Sequence, residues 1–324
     1  MNIKHPLPKS ALVFCGGLLL CAGCTTPDLK PFADSTANMR QAVVQSQNII
    51  RSEMTLIAEK SLVADPSTLN LAKTNIPDSF KPRVAFMEAV VNYTDSLAAV
   101  ADAGKNGQAN AQALGDSVQQ LANVVGPYGQ AVGAGATIFA QGYGEIAQAR
   151  AFQALRKATE KAGPIIQRGA ELMSKDMGNI VTVLQSGELD LTTSLQEPYQ
   201  NDIIIRNRLV KFRKQKSEEI TAAIGQTNWV PLLAKHNQEM AELDAVLDRM
   251  DKWYLPLQKE EADVRERFEA EAGMVRNTEK AFKQWAKVHS DLMQSLRDNR
   301  QPNIRELVIT VLEIKSEIEQ LKKH

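Results

Sequence analysis

Cysteine is missing from everything after residue 24. The chain has three, Cys15, Cys21 and Cys24, so the long remainder of this 324-residue sequence holds no disulfide and no thiolate metal site. Stability there rests on packing alone. Aromatic residues are few, at 5%, yet 44% hydrophobic content over this length suffices for a real core and excludes a disordered chain. Neither sign of charge is in excess: 38 Lys and Arg balance 38 Asp and Glu, so no global field draws the protein to nucleic acid or to an anionic surface. Strand signals are scarce, and the β-branched run Ile180 to Leu184 is short and embedded in helical spacing.

Catalytic patterns are missing too. There is no His-Glu-x-x-His, no Glu-x-x-His pair of the kind that bundle di-iron sites use, no Gly-rich phosphate loop and no Gly-x-Ser-x-Gly elbow. The sequence therefore implies no catalytic residues, no metal, no small-molecule substrate and no enzyme. The nearest approach to a metal site is "HNQEMAE", where Glu239 follows His236 by three residues. His236 lies on an apolar seam and lacks companion ligands, so it reads as a packed or edge histidine.

The N-terminus carries a pattern of its own. Lys4, His5 and Lys9 form a positive start, and Ala11 to Leu20 an apolar run that spans only ~15 Å as a helix, half a hydrocarbon core. This is a targeting signal and not a transmembrane helix. Leu20-Cys21-Ala22-Gly23-Cys24 resembles the lipobox of bacterial lipoproteins, with Cys21 standing where Leu is usual. The resemblance implies cleavage of a signal peptide at residues 1–23, diacylglycerol and palmitate on Cys24 as the one covalent lipid, and no other cofactor. The rival expectation, a secretory signal cut after Ala22 or Gly23 that leaves Cys24 a free thiol, rests on the small residues alone. Loss of Lys4 and Lys9 with the signal takes the formal charge from 0 to −2. Thr25, rather than Asp, follows the cysteine, and for a lipoprotein this implies the outer membrane of a Gram-negative cell envelope. Residues 24–34, with Pro27 and Pro31, read as the lipidated N-terminus and a linker of at most ~33 Å.

From residue 35 to 324 the spacing predicts helices almost throughout, in one all-α domain: an elongated antiparallel bundle with coiled-coil-like seams. Ser35 to Lys60 opens with Ser35 and Thr36 as caps, and Pro82 to Ala103 carries Phe86, Val90, Tyr93, Leu97 and Val100 on one stripe. A third helix is expected from Asn110 to Val125 and a fourth from Glu145 to Leu184, bent by Pro164. Ser186-Gly187 is the best internal boundary. Positions 233, 236, 240, 243, 247, 250, 254 and 257 then form an a/d seam, interrupted or kinked at Pro256. A stripe through Val264, Phe268, Met274, Phe282, Trp285, Leu292 and Leu296 follows. The last helix, opened by Asn303, has Ile304, Leu307, Val311, Ile314, Ile318 and Leu321 in heptad register; it suits a neighbour in the same chain and a homo-oligomer seam equally.

Two segments stand out as candidate contact sites. "GPYGQAVGAGATIFAQGYG", residues 126–144, lies within an uncharged stretch from Ser117 to Gly144, and Gly129, Gly133, Ile138 and Phe139 make it a close helix-packing segment or, alternatively, a membrane-contacting one. Its interspersed Gln and Asn favour close packing; the rival is a membrane-perturbing or pore-forming hairpin. "RNRLVKFRKQK" gathers Arg206, Arg208, Lys211, Arg213, Lys214 and Lys216, a patch for lipid phosphates or an acidic protein, or a solvated face neutralised by Glu218 and Glu219. A single interleaved aromatic, Phe212, speaks against nucleic acid. The expectation is a membrane-anchored, non-catalytic scaffold or adaptor with an envelope protein as partner.

Overall fold

A computed structural model describes residues 27–60, 76–103, 107–128, 151–224, 229–298 and 300–322. Among them are seven α-helices and no strand: α1 Lys30–Lys60, α2 Ile76–Asp102, α3 Gly107–Tyr128, α4 Ala151–Gln196, α5 Gln200–Ala223, α6 Trp229–Asp298 and α7 Arg305–Leu321, with a 3₁₀ turn at Glu197–Tyr199 between α4 and α5. The all-α bundle read from the periodicity is the observed fold. None of the described helices is long and apolar enough to cross a membrane.

The first helix begins at Lys30, before the expected Ser35. Leu29 and Phe32, each 1% exposed, are core residues, so residues 29–34 belong to the bundle and not to a spacer. Asp28 caps the start, its Oδ1 accepting from the Lys30 amide at 3.1 Å, and Pro31 sits in the first turn, where no amide donor is needed. Ser35 and Thr36 are inside the helix; their hydroxyls donate back to the carbonyls of Pro31 and Phe32 at 2.7 and 2.8 Å.

Ion pairs fix the register of the body. Arg40 meets Glu88 across α1 and α2, Arg83 meets Asp176 across α2 and α4, and Arg297 of α6 reaches Glu160 of α4. Helices α1 and α4 thus run one way and α2 and α6 the other. Phe86, Val90, Tyr93, Leu97 and Val100 are all buried, as is the expected stripe from Val264 to Leu296. Leu307, Val311 and Ile314 of α7 are buried in the same core, so its heptad seam is filled within the chain.

The fourth helix is longer than its sequence signals suggest, running unbroken through Pro164 and through Ser186-Gly187. Gly187 is a point of close approach: a Cβ there would lie 2.8 Å from Cδ1 of Ile57 and 3.4 Å from Cε1 of Phe268. Gly169 is tighter still, with the Phe86 ring 2.2 Å from where its Cβ would stand. These glycines let α1, α2 and α6 seat on α4. Helix α6, 70 residues and ~105 Å of contour, likewise continues through Pro256, which removes one amide donor without ending it.

Candidate functional site

Helix α6 is far longer than the body needs. Among the described residues its C-terminal half packs against α4, α1 and α7, whereas its N-terminal half meets α5 and the 3₁₀ turn before it, and forms with α5 a two-helix arm. The end of α6 beside the N-terminus is marked by a hydrogen bond from the Asp28 amide to Gln301 Oε1 at 3.3 Å. The arm is at the other end, beyond the level at which Gln196 of α4 donates to Glu261 at 3.0 Å.

The arm is a coiled coil with a charged seam. On α5 the positions facing α6 step 3-4-3-4-3 through Arg206, Leu209, Arg213, Lys216, Ile220 and Ala223, and α6 answers with the heptad series 233 to 257. Only Leu243, Leu247 and Leu257 of that series are buried, and α5 buries no residue at all. Charge sets the pairing. Arg206 donates to Asp251 at 2.8 Å with its guanidinium 3.8 Å from the Tyr254 ring centre, and Arg213 forks onto both oxygens of Asp244. The Arg213 hydrogen bond holds the Asp244 carboxyl below the usual carboxylate range. Lys216 pairs with Glu219 at 2.9 Å, which likewise lowers the Glu219 carboxyl, and reaches Glu239 at 3.9 Å.

The six expected basic residues therefore divide. Arg206, Arg213 and Lys216 are committed to acids within the arm, on α6 and at Glu219. Arg208, Lys211 and Lys214 step along the outer side of α5, exposed and with no ion pair among the described residues. Sequence spacing alone did not separate the two sets, because the partners Asp244 and Asp251 lie on another helix. His236 and Glu239 do come together, Nδ1 to Oε2 at 3.4 Å, but the same carboxylate has Lys216 and Lys235 at 3.9 Å each, so it serves the arm's charge network. Among the described residues, no group of three or more His, Cys, Asp and Glu is placed to hold a metal. Cys24, Gly129, Gly133, Ile138 and Phe139 lie outside the described residues.

Apolar exposure is concentrated in the same place. Of the twelve large hydrophobic side chains exposed among the described residues, eight lie between Tyr199 and Leu255, which makes the arm and not the body the unpartnered surface. Phe212, 47% exposed, and Ile205 are on one flank of α5, the flank on which Lys216 meets Glu239. Half-buried Val246 and Trp253 follow on that flank of α6, with Trp253 stacked on Tyr199 at a ring separation of 5.1 Å.

Two polar clusters inside the body have no counterpart in the sequence expectations. Tyr93 and His289, both buried, share a 2.8 Å hydrogen bond, and Trp285 Nε1 donates to Thr36 Oγ1 at 3.0 Å one turn away; burial pushes the His289 imidazole down to about 3. Glu53 of α1 and Glu271 of α6, each 5% exposed, share Arg267, which donates to Glu53 at 3.0 Å. Burial and the neighbouring Glu53 push Glu271 up to about 8. Both clusters tie helices together; the first is closed to solvent, whereas Arg267 of the second also lines the groove between α6 and α7. The groove between α6 and α7, about 760 Å³, is lined by charged side chains such as Asp263, Glu266 and Glu317 together with Ala270 and Leu321.

No protein-family model, no curated protein and no solved structure matches this chain.

Proposed function

We propose that the protein is a lipid-anchored, non-catalytic scaffold or adaptor of a bacterial cell envelope, held by a diacylated and palmitoylated Cys24 at the outer membrane and presenting the α5–α6 arm to a protein partner. The observation that carries this reading is the arm: a two-helix projection with no buried side chain on α5 and most of the large hydrophobics exposed among the described residues. A surface of that kind is costly in water unless something covers it.

A lipid on Cys24 would be at the opposite end from the arm. Cys24 is four residues before Asp28, a reach of no more than ~14 Å, and Asp28 sits beside Gln301 at the far end of α6 from the arm. From Leu257, at the base of the arm, to Asp298 the helix rises ~62 Å, so a lipid at Cys24 leaves the arm far from the anchoring point along the molecule's long axis. Such an arrangement suits a spacer that holds a binding element clear of its membrane.

The test is in two parts. Cys24→Ala is expected to move the protein from the membrane to the soluble fraction, and retention in the membrane would overturn the anchor. Photocrosslinkers placed at Phe212 and at Leu189, an exposed position on α4, are then compared in intact cells. A discrete protein adduct at Phe212 but not at Leu189 supports the arm as the binding element; equal or absent labelling overturns it.

A further inference from the structure

We propose that the partner of the arm is the arm of a second copy of this chain, the two hairpins closing face to face into a four-helix bundle about a two-fold axis. The inference rests on the reading of the arm as a binding element, and antiparallel arms set the two bodies, with Asp28 of each, at opposite ends of the dimer. The flank of α5 that carries Ile205 and Phe212, two of its four exposed large hydrophobics, steps 3-4-3-4 through Ile205, Arg208, Phe212, Gln215 and Glu219, the spacing of a second coiled-coil seam beside the one that faces α6. Its charges are arranged to match themselves. The cation is near one end and the acid at the other, so antiparallel self-pairing centred between Phe212 and Gln215 sets Arg208 of each copy against Glu219 of its partner, twice, across a middle of phenylalanine and glutamine. A two-fold interface requires that kind of self-complementarity.

The size is adequate. Helix α5 is ~36 Å long, and a face two helices wide, ~18–20 Å, covers ~650–720 Å² per copy; the sum, ~1,300–1,440 Å², is within the range of stable interfaces. A single two-helix hairpin with only three buried leucines in its seam is incomplete as a bundle, and pairing supplies the missing layer.

The experiment uses the full chain, purified in mild detergent, with protein mass read by light scattering corrected for bound detergent. The unaltered chain is expected at the mass of two chains. R208E sets acid against acid, and E219R sets base against base, so each variant alone is expected at the mass of one chain, with association weakened at least tenfold. Mixing R208E with E219R restores opposite charges at both contacts, and the mixture is expected to return to two chains. Both positions are exposed, so each variant keeps its helical circular dichroism. A wild-type monomer at 100 µM, a dimer indifferent to either single reversal, or a mixture that stays monomeric overturns the proposal. A monomer whose Phe212 crosslinks to a different envelope protein overturns it while leaving the scaffold reading in place.

Discussion

Glu271 and His289 are both buried, and burial disfavours the charged form of each, with opposite consequences for stability against pH. Glu271 keeps its proton in the folded protein up to about 8, whereas the unfolded chain releases it near 4.5; the folded state binds the extra proton, so the contribution of Glu271 is most favourable below 4.5 and is lost as pH rises to 8. His289 stays neutral when folded down to about 3 and takes up its proton near 6.5 when unfolded, so stability declines as pH falls from 6.5 toward 3. Glu271→Gln is expected to flatten the alkaline limb, raising stability at pH 8 relative to the parent chain by on the order of 2 kcal/mol and changing it little at pH 4.5, as read from urea midpoints. On the acid side, Tyr93→Phe combined with His289→Leu removes both partners of the buried hydrogen bond. The acid limb should flatten, while His289→Leu alone strands the Tyr93 hydroxyl and costs about 1–3 kcal/mol at pH 7.

Among the helices, glycine decides how closely neighbours approach. Alanine favours a helix over glycine by about 1 kcal/mol, but Gly169→Ala forces a methyl group into the Phe86 ring, and overpacking of that kind costs about 1–3 kcal/mol. Gly178→Ala meets only Oε2 of Glu279 at 3.8 Å and should show the propensity gain unopposed. Thermal unfolding is expected to give a lower midpoint for the first and a higher one for the second; equal shifts would refute the close-contact account. The same glycines mark the limit of sequence reading. The apolar stripe of α2 from Phe86 to Val100 was legible because a 3.6-residue period is a local property. Ser186-Gly187 looked like a boundary because Ile57 and Phe268, which need the space, are far away in sequence.

For the whole molecule, the body and the arm differ in how their helices are satisfied. Body helices bury stripes against several neighbours, and the α4–α6 contact that dominates the fold joins residues about a hundred apart, such as Ser174 and Glu279. In the arm each helix has one helical neighbour among the described residues. A 70-residue helix shared by both parts predicts an elongated particle, and small-angle scattering of a monomeric R208E chain should give a maximum dimension of at least ~100 Å. A compact value near 60 Å would mean that the arm folds back on the body and comes near the end at which Asp28 lies.

Residue order by itself determined the all-α class, the seams of α2, α6 and α7 and the candidate basic run, because helical periodicity and charge composition are written in neighbouring residues. It also carries the lipobox resemblance, which is a matter of five consecutive positions. Only the tertiary structure decided which basic residues are spent on Asp244, Asp251 and Glu219, that residues 29–34 belong to the core, and that Glu53 and Glu271 meet over Arg267. Each of these, the Glu219 pair excepted, depends on contacts between segments far apart in the chain. Hydrogen bonding and desolvation act through space, so their outcome is set by which helices pack together and in what register.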